Sequence, residues 1–242
     1  MPAPTATLPE FLALAGHRVR WRLLTELARS DRRGRELTAL TGERQSLVAY
    51  HLGRLRDGRI VHARRSAADG RDVYYRLDLS RCRDLLSTTA SALHPALLSD
   101  PAPISGARPP TRVLFLCTGN SARSQIAEAI LRARAGDAVE VCSAGSSPRP
   151  LDPHVAVVLR DHGIDASGLR AKHVDEVADD TFDLVVTLCD RVREVCPDVE
   201  PGAEHIHWSV PPPPHDDPAA LAAIADDLQA RIAFLLPTLR RR

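Results

Sequence analysis

The chain has 242 residues with 44% hydrophobic and 26% charged side chains, the composition of a soluble globular protein with one large domain or two ordinary ones. No apolar run is long enough to span a bilayer and no leader with a cleavage site is present, so we expect a cytoplasmic protein without membrane contact. The net charge of +1 is unevenly distributed: residues 1–110 contain 18 arginines and 11 acidic residues, whereas residues 111–242 carry a net charge of −6. This asymmetry favours two domains, of which the basic one faces a polyanion.

The N-terminal part of the chain is predicted to be mainly helical. Apolar periodicity predicts helices that begin near Phe11 and Val19 and helices over about 35–41, 44–56 and 79–97. Between the last two helices, β-rich runs at 59–64 and 73–77 flank the turn Ala67-Ala68-Asp69-Gly70. Helices, a helix-turn-helix and a β-hairpin in this order predict a winged helix.

A polar face on the second helix of the turn motif is a candidate DNA-binding surface. On a helix over 44–56, Leu47, Val48, Leu52 and Leu55 are expected to face the core. The side chains then left outward can donate to and accept from bases and phosphates; they are Arg44, Gln45, Ser46, Tyr50 and Arg54. Three arginines on the hairpin suit phosphate or minor-groove contact; they are Arg64, Arg65 and Arg71. The alternative is a solvated basic face on an unrelated helical domain.

The stretch Leu47–Val61, followed by an arginine-rich hairpin that ends Tyr74-Tyr75-Arg76-Leu77, resembles the arsenic-repressor (ArsR-type) winged-helix regulators. The resemblance implies a transcriptional repressor that binds operator DNA as a homodimer through its N-terminal domain. Metalloid-sensing members carry thiols on the first helix of the turn motif, but 35–41 contains none. Cys82 is expected to be a buried structural thiol, and no inducer site is visible.

A segment rich in proline, serine and glycine, 98–110, shows neither helical nor strand periodicity and is predicted to be a linker. It separates a DNA-binding domain over 8–97 from a second domain over 111–242.

The second domain opens with a candidate oxyanion-binding loop. The apolar run 112–116 suits a buried parallel strand, and an amphipathic helix starts near Ser124. A tight strand-to-helix loop turns its N–H groups inward and cradles a tetrahedral anion. The same positive field of the loop favours the thiolate of Cys117 at its floor. Arg123 can hold two oxygens of that anion bidentately. The predicted oxyanion-binding residues are Thr118, Gly119, Asn120, Ser121, Ala122, Arg123 and Ser124.

This loop resembles the active-site loop of the low-molecular-weight protein tyrosine phosphatases and of the arsenate reductases that share their fold, over about 111–240. The resemblance implies an α/β domain with a four-stranded parallel sheet flanked by helices.

Two further cysteines distinguish reduction from hydrolysis. Cys189 follows a second apolar strand, 182–188, and the carboxyl ends of parallel strands meet at one edge of a sheet, so Cys117 and Cys189 should open onto one crevice. Cys196 can reach Cys189 if the intervening segment folds back. The Thr-Leu-Cys…Cys-Pro pattern resembles the thioredoxin-coupled arsenate reductases, which implies a relay through Cys117, Cys189 and Cys196, no bound cofactor, and thioredoxin as external reductant.

This sequence departs from the family's pattern at the general acid and at the cation site. Asp217 keeps the family's Asp-Pro signature but stands about five residues later than expected, and His215 and Asp216 are nearby substitutes. Some relatives hold a potassium ion; Asn120, Glu128 and Ser143 match three of its ligands, but Lys172 stands at the fourth. We therefore predict no bound metal. Cys142 is expected to belong to the core.

These features favour an arsenic-responsive repressor fused to a reductase that converts arsenate to arsenite. Two alternatives stay open. One is a DNA-binding protein fused to a low-molecular-weight protein tyrosine phosphatase, and the other is an oxyanion sensor that does not turn over.

Overall fold

A computed structural model describes residues 8–94, 110–195, 202–214 and 217–239. The chain divides into two compact units, one formed by 1–65 and 71–103 and the other by 66–70 and 104–242. Most of the predicted linker, Cys196, His215 and Asp216 lie outside the described residues. No helix in the described ranges is long and apolar enough to cross a membrane.

In its described residues, the N-terminal unit has five helices and a small antiparallel sheet. Its helices are α1 (Glu10–Ala15), α2 (Arg18–Arg29), α3 (Gly34–Thr41), α4 (Gln45–Asp57) and α5 (Leu79–Leu93). Its strands are β1 (Arg32–Arg33), β2 (Val61–Arg65) and β3 (Val73–Leu77), in the order β1-β3-β2.

The core of this unit is aliphatic. Leu23, Leu37, Leu52, Leu55 and Ile60 are fully buried, which anchors α2, α3, α4 and the start of the hairpin on one another. Gly42 ends α3 with a left-handed φ of +67°, and the next helix begins three residues later. The glycine thus produces the tight helix–helix connection that the sequence predicted.

Two predictions for this unit need correction, and one of its strands was not predicted. Strand β2 begins at Val61 and not at Arg59, because Arg59 adopts a φ of +56°, which is incompatible with a strand. Strand β1 was not predicted, since two arginines carry no strand signal and pair with β3 only through tertiary contact. Leu47 is 38% exposed and does not belong to the core; His51 is buried instead.

The C-terminal unit contains a four-stranded parallel sheet flanked by helices, as predicted. Its strands are β4 (Thr111–Cys117), β5 (Val139–Gly145), β6 (Leu184–Thr187) and β7 (Glu204–His207), in the order β5-β4-β6-β7. Its helices are α6 (Arg123–Ala135), α7 (Val155–Asp161), α8 (Asp190–Val195) and α9 (Pro218–Leu239).

Burial explains why β4 is central. Residues 113–117 are all buried, as expected for a parallel strand covered on both faces, and β4 pairs with β5 on one side and β6 on the other. Helix α6 is buried from Ser124 to Leu131 and contacts β4, β5 and α9. The loop between β4 and α6 is therefore held by the best-packed elements of the unit.

Candidate active site

The thiol of Cys117 is buried at the end of β4 and contacts two hydrogen-bonding groups. Its Sγ lies 3.2 Å from the backbone nitrogen of Asn120, which donates to it, and 3.0 Å from Oγ of Ser124. Ser124 and Asn120 are fully buried. Donors aimed at sulfur stabilise a thiolate relative to a thiol, so the loop can hold a nucleophile at its floor.

Asn120 is the structural centre of the loop. It adopts a φ of +43°, in the left-handed region that asparagine tolerates better than most residues. Its Nδ2 donates to Oγ of Ser124 at 2.9 Å and to Oγ of Ser143 at 2.8 Å, and its Oδ1 accepts from the backbone nitrogen of Lys172 at 2.7 Å. One side chain thus ties the loop to α6, to β5 and to the segment after α7.

Gly145, at the end of β5, makes room for this loop. A Cβ at this position would lie 2.7 Å from the carbonyl oxygen of Thr118 and 2.9 Å from the backbone nitrogen of Asn120. Both are backbone atoms that cannot move without opening the loop. Glycine is therefore required here for the close approach of two main-chain segments.

A cavity of about 350 Å³ opens in front of Cys117. Arg123 lies in its wall, where Nη1 donates to the carbonyl oxygen of Val210 at 2.9 Å. The wall is rich in cations and loop residues; among the others that line it are Thr118, Gly119, Ser121, Ala122, Arg149, Asp152, Cys189, Asp190, Arg191, Pro212, Pro213 and Pro214. Three guanidinium groups around a small polar cavity suit an anion.

Cys189 follows β6 by two residues and lines the same cavity as Cys117. It is 5% exposed, and its Sγ lies 3.2 Å from Oγ1 of Thr118, the residue directly after Cys117. The ends of β4 and β6 are neighbours because the strands pair in register from Val113–Leu184 to Leu116–Thr187. The parallel sheet thus brings together two thiols that are 72 positions apart in the sequence.

Asp217 occupies a different position from the thiols. Its Oδ1 accepts from the backbone nitrogen of Ala220 at 2.9 Å, so its carboxylate caps the first turn of α9. Among the described residues, the carboxylates that line the cavity are those of Asp152 and Asp190. Sequence reasoning missed both, although Asp152-Pro153 is a second Asp-Pro and follows β5, a strand that ends at the same sheet edge.

An ammonium group lies beside Glu128, one of the residues that the sequence analysis considered for a cation site. Lys172 is 9% exposed, and its Nζ lies 3.5 Å from Oε2 of Glu128, which is 3% exposed. Because a lysine already neutralises this carboxylate, the residues present do not fit a cation. Among the described residues, no group of three or more His, Cys, Asp or Glu side chains could hold a metal ion.

Two other cysteines sit in environments unsuited to nucleophilic chemistry. Burial, and then the charge of Asp78, raise the pKa of Cys82 to about 11, and burial raises the pKa of the Cys142 thiol. Cys82 is 8% exposed on α5 and Cys142 is half-buried on β5. Both therefore behave as the structural thiols that the sequence analysis expected.

The N-terminal unit carries the candidate nucleic-acid surface on α4 and the hairpin. All five predicted residues at and on α4 are exposed, with Tyr50 60% exposed; they are Arg44, Gln45, Ser46, Tyr50 and Arg54. On the hairpin, Arg65 and Arg71 are exposed and Arg64 is half-buried. The structure therefore leaves the predicted donors on the outside of the unit.

Comparisons with known proteins concern the C-terminal half of the chain. A family model of the low molecular weight phosphotyrosine protein phosphatases matches residues 112–242. Arsenate reductase 1 of Bacillus cereus is 35% identical to this chain over 120 residues, which are 50% of this chain and 90% of that protein. The arsenate reductase of Halalkalibacterium halodurans is 38% identical over 107 residues, which are 44% of this chain and 73% of that protein.

One solved structure, of an arsenate reductase in the phosphate binding state, is similar in fold. Its TM-score is 0.50 at 22% sequence identity, and the match covers 53% of this chain and 98% of that one.

Proposed function

The chain belongs to the low molecular weight phosphotyrosine protein phosphatase family through residues 112–242, and we propose that this half of the molecule is an arsenate reductase with a three-cysteine relay. One observation carries the proposal: a second thiol, Cys189, lines the same cavity as the nucleophile Cys117. Hydrolysis of a phosphoester needs a single thiol, whereas the two-electron reduction of arsenate needs a second one. The similarity to two arsenate reductases at 35% and 38% identity supports this choice.

The first step forms a bond between Cys117 and arsenic. The thiolate attacks the arsenate bound by the loop and Arg123, and one arsenate oxygen leaves as water after protonation. The donors around Cys117 stabilise the thiolate before attack, and Arg123 offsets the charge of the equatorial oxygens. The proton comes from Asp217, which stands three residues after the proline segment that lines the cavity. To act as the acid, its carboxyl group has to break the hydrogen bond that it accepts from the backbone nitrogen of Ala220.

The second and third steps move two electrons and regenerate the nucleophile. Cys189 attacks the sulfur of Cys117, so that an S–S bond forms, the S–As bond breaks, and its electron pair reduces arsenic(V) to arsenic(III), which leaves as arsenite. Cys196 then attacks Cys189, which releases Cys117 as a thiolate. The Cys189–Cys196 disulfide is finally reduced by thioredoxin, a dithiol.

For the N-terminal unit we propose a winged-helix repressor that dimerises and binds operator DNA. Helices α3 and α4 form the turn motif, and the polar face of α4 would enter the major groove while the arginines of the hairpin contact the backbone. The positive charge of this half supports the assignment. Exposed leucines on α1 and α5 support a dimer contact there; they are Leu12, Leu86 and Leu93.

Two experiments separate these functions from their alternatives. In an assay with thioredoxin, thioredoxin reductase and NADPH, arsenate turnover that vanishes in Cys117→Ser, Cys189→Ser and Cys196→Ser supports the reductase. Hydrolysis of p-nitrophenyl phosphate without arsenate turnover identifies a phosphatase, and stoichiometric oxyanion binding without turnover identifies a sensor. For the N-terminal half, a gel shift on the DNA upstream of the gene tests operator binding. If neither arsenite nor arsenate changes that gel shift, coupling of the two halves is excluded.

A further inference from the structure

A buried polar cluster lies directly beside Cys189 and takes no part in the three-cysteine relay. Asp190 and His207 are each 1% exposed, and Ser209 is 7% exposed. Asp190 is the residue after Cys189, and His207 ends the neighbouring strand β7. Buried polar contacts of this kind contribute little net stability compared with apolar side chains of the same volume, so the presence of the cluster beside a redox thiol points to a role in the site.

The imidazole of His207 bridges the residues on either side of that thiol. Its Nε2 lies 3.2 Å from Oδ1 of Asp190, one residue after Cys189, and its Nδ1 lies 3.0 Å from the carbonyl oxygen of Thr187, two residues before it. Ser209 donates to the same Oδ1 at 2.6 Å. The short turn that carries Cys189 is thus held at both ends by one rigid ring on a neighbouring strand.

Further contacts complete the cluster. Nδ1 of His207 also lies 2.9 Å from Oγ1 of Thr187, and Oδ2 of Asp190 accepts from the backbone nitrogen of Ala67 at 2.8 Å. Both carboxylate oxygens of Asp190 are thus engaged, and the ring of His207 contacts Thr187 through its hydroxyl as well as its carbonyl oxygen.

The cluster also adjoins the oxyanion cavity, because Asp190 lines its wall. The bridge through His207 therefore holds a residue of the cavity wall as well as the turn that carries Cys189.

We propose that His207 is a positioning residue for Cys189, which it holds against Thr118 by bridging Thr187 and Asp190. The inference rests on the proposed relay, because its effect falls on the second step, where Cys189 attacks Cys117. Misplacement of a reacting sulfur by about 1 Å lowers the rate of that step by about 100-fold.

Single-turnover arsenite release isolates the step. Fully reduced protein mixed with arsenate in the absence of thioredoxin should release arsenite once per chain as the Cys117–Cys189 disulfide forms. Asp190→Ala removes the contact with His207 and should release arsenite about 100-fold more slowly than the wild type. Asp190→Asn loses the acceptor for Ala67 N–H but keeps an oxygen that can accept from Nε2–H of His207, so it should release arsenite clearly faster than Asp190→Ala.

His207→Leu gives a second test. It breaks the bridge between Thr187 and Asp190, so release should slow as in Asp190→Ala. If the leucine variant does not fold, His207→Gln, which retains a hydrogen-bond donor, replaces it in the same measurement of arsenite release. A matched control is His162→Leu, which removes a similar His–Asp contact, 3.0 Å from His162 Nε2 to Asp226 Oδ1, between α7 and α9 and should leave release unchanged.

The outcomes are distinguishable. Equal rates in Asp190→Asn and Asp190→Ala, whether both slow or both normal, would overturn the positioning role, as would a His162→Leu variant as slow as His207→Leu. A wild-type protein that releases no arsenite contradicts the proposed reductase itself and not the positioning of Cys189.

Discussion

Oγ1 of Thr118 lies 3.2 Å from Sγ of Cys189, which connects the oxyanion loop after β4 to the thiol that follows β6. The hydroxyl of the loop can donate to the sulfur of Cys189 and so favour its thiolate before it attacks Cys117. The residue that follows the first nucleophile is thereby placed to activate the second.

Replacing this hydroxyl should slow the second step selectively. Thr118→Val keeps the shape of the side chain but removes the donor, and a hydrogen bond to a charged group is worth about 1.5–3 kcal/mol, so arsenite release should fall by about 10- to 100-fold. Thr118→Ser retains the donor and serves as the control. Stopped-flow measurement of single-turnover release checks this, and equal rates in the two variants would show that the contact plays no part.

The loop should depend on Asn120 for stability as well as for shape. Asn120→Ala removes buried hydrogen bonds to Ser124, Ser143 and Lys172, at about 1 kcal/mol each, and leaves a non-glycine residue at a φ of +43°. We expect a loss of about 3 kcal/mol in the free energy of unfolding. Asn120→Gly should lose about 1 kcal/mol less, because glycine adopts this φ without strain.

Urea denaturation followed by Trp208 fluorescence in a Trp21→Phe background measures both variants. A loss below about 1 kcal/mol in Asn120→Ala would contradict the central role of this side chain.

Much of the catalytic half could be predicted because its signals are local. The spacing from Cys117 to Arg123 lies between a continuous apolar strand and a helix, so the loop and its anion preference follow from neighbouring residues. The pairing of Cys117 with Cys189 in one cavity needed one tertiary rule, that the ends of parallel strands share an edge.

What could not be predicted depends on contacts between distant segments. His207 and Asp190 are 17 positions apart, and nothing in either local sequence signals that the imidazole bridges the turn around Cys189. In the N-terminal unit, Leu47 fits the apolar side of α4 by periodicity, yet the buried position belongs to His51, whose ring stacks on His17 at 4.3 Å. Helical periodicity predicts which face of a helix is buried, but it does not predict which residues at the border of that face are buried.

The general acid can be tested without disturbing the fold. Asn caps a helix about as well as Asp, so Asp217→Asn should leave the stability of α9 unchanged while it removes the acid. We expect steady-state arsenate turnover to fall by about 100-fold. The control is Asp152→Asn, the other aspartate followed by proline at the cavity, which should remain within about threefold of the wild type. The reverse pattern would assign the proton to Asp152.

His51 should make the N-terminal unit sensitive to acid. Burial lowers the pKa of His51 below its ordinary value of 6.5, and the charges of His17 and Arg20 lower it further. Because the folded pKa is depressed, the unfolded chain binds the proton more readily, so stability is complete above about pH 6.5 and is lost as the pH falls below it.

Urea midpoints at pH 8 and pH 5, read from Trp21 fluorescence in a Trp208→Phe background, check this expectation. The midpoint should fall at pH 5, and the fall should shrink in His51→Leu. An equal fall in both proteins would locate the acid sensitivity elsewhere.

The central claim is that three thiols carry out a reduction. It is tested most directly by NADPH oxidation with thioredoxin and thioredoxin reductase after addition of arsenate, compared between the wild type and Cys189→Ser. We predict sustained NADPH oxidation with one arsenite formed per NADPH in the wild type and none in Cys189→Ser. Arsenate-dependent NADPH oxidation that persists in Cys189→Ser, or that is absent from the wild type, would contradict the relay.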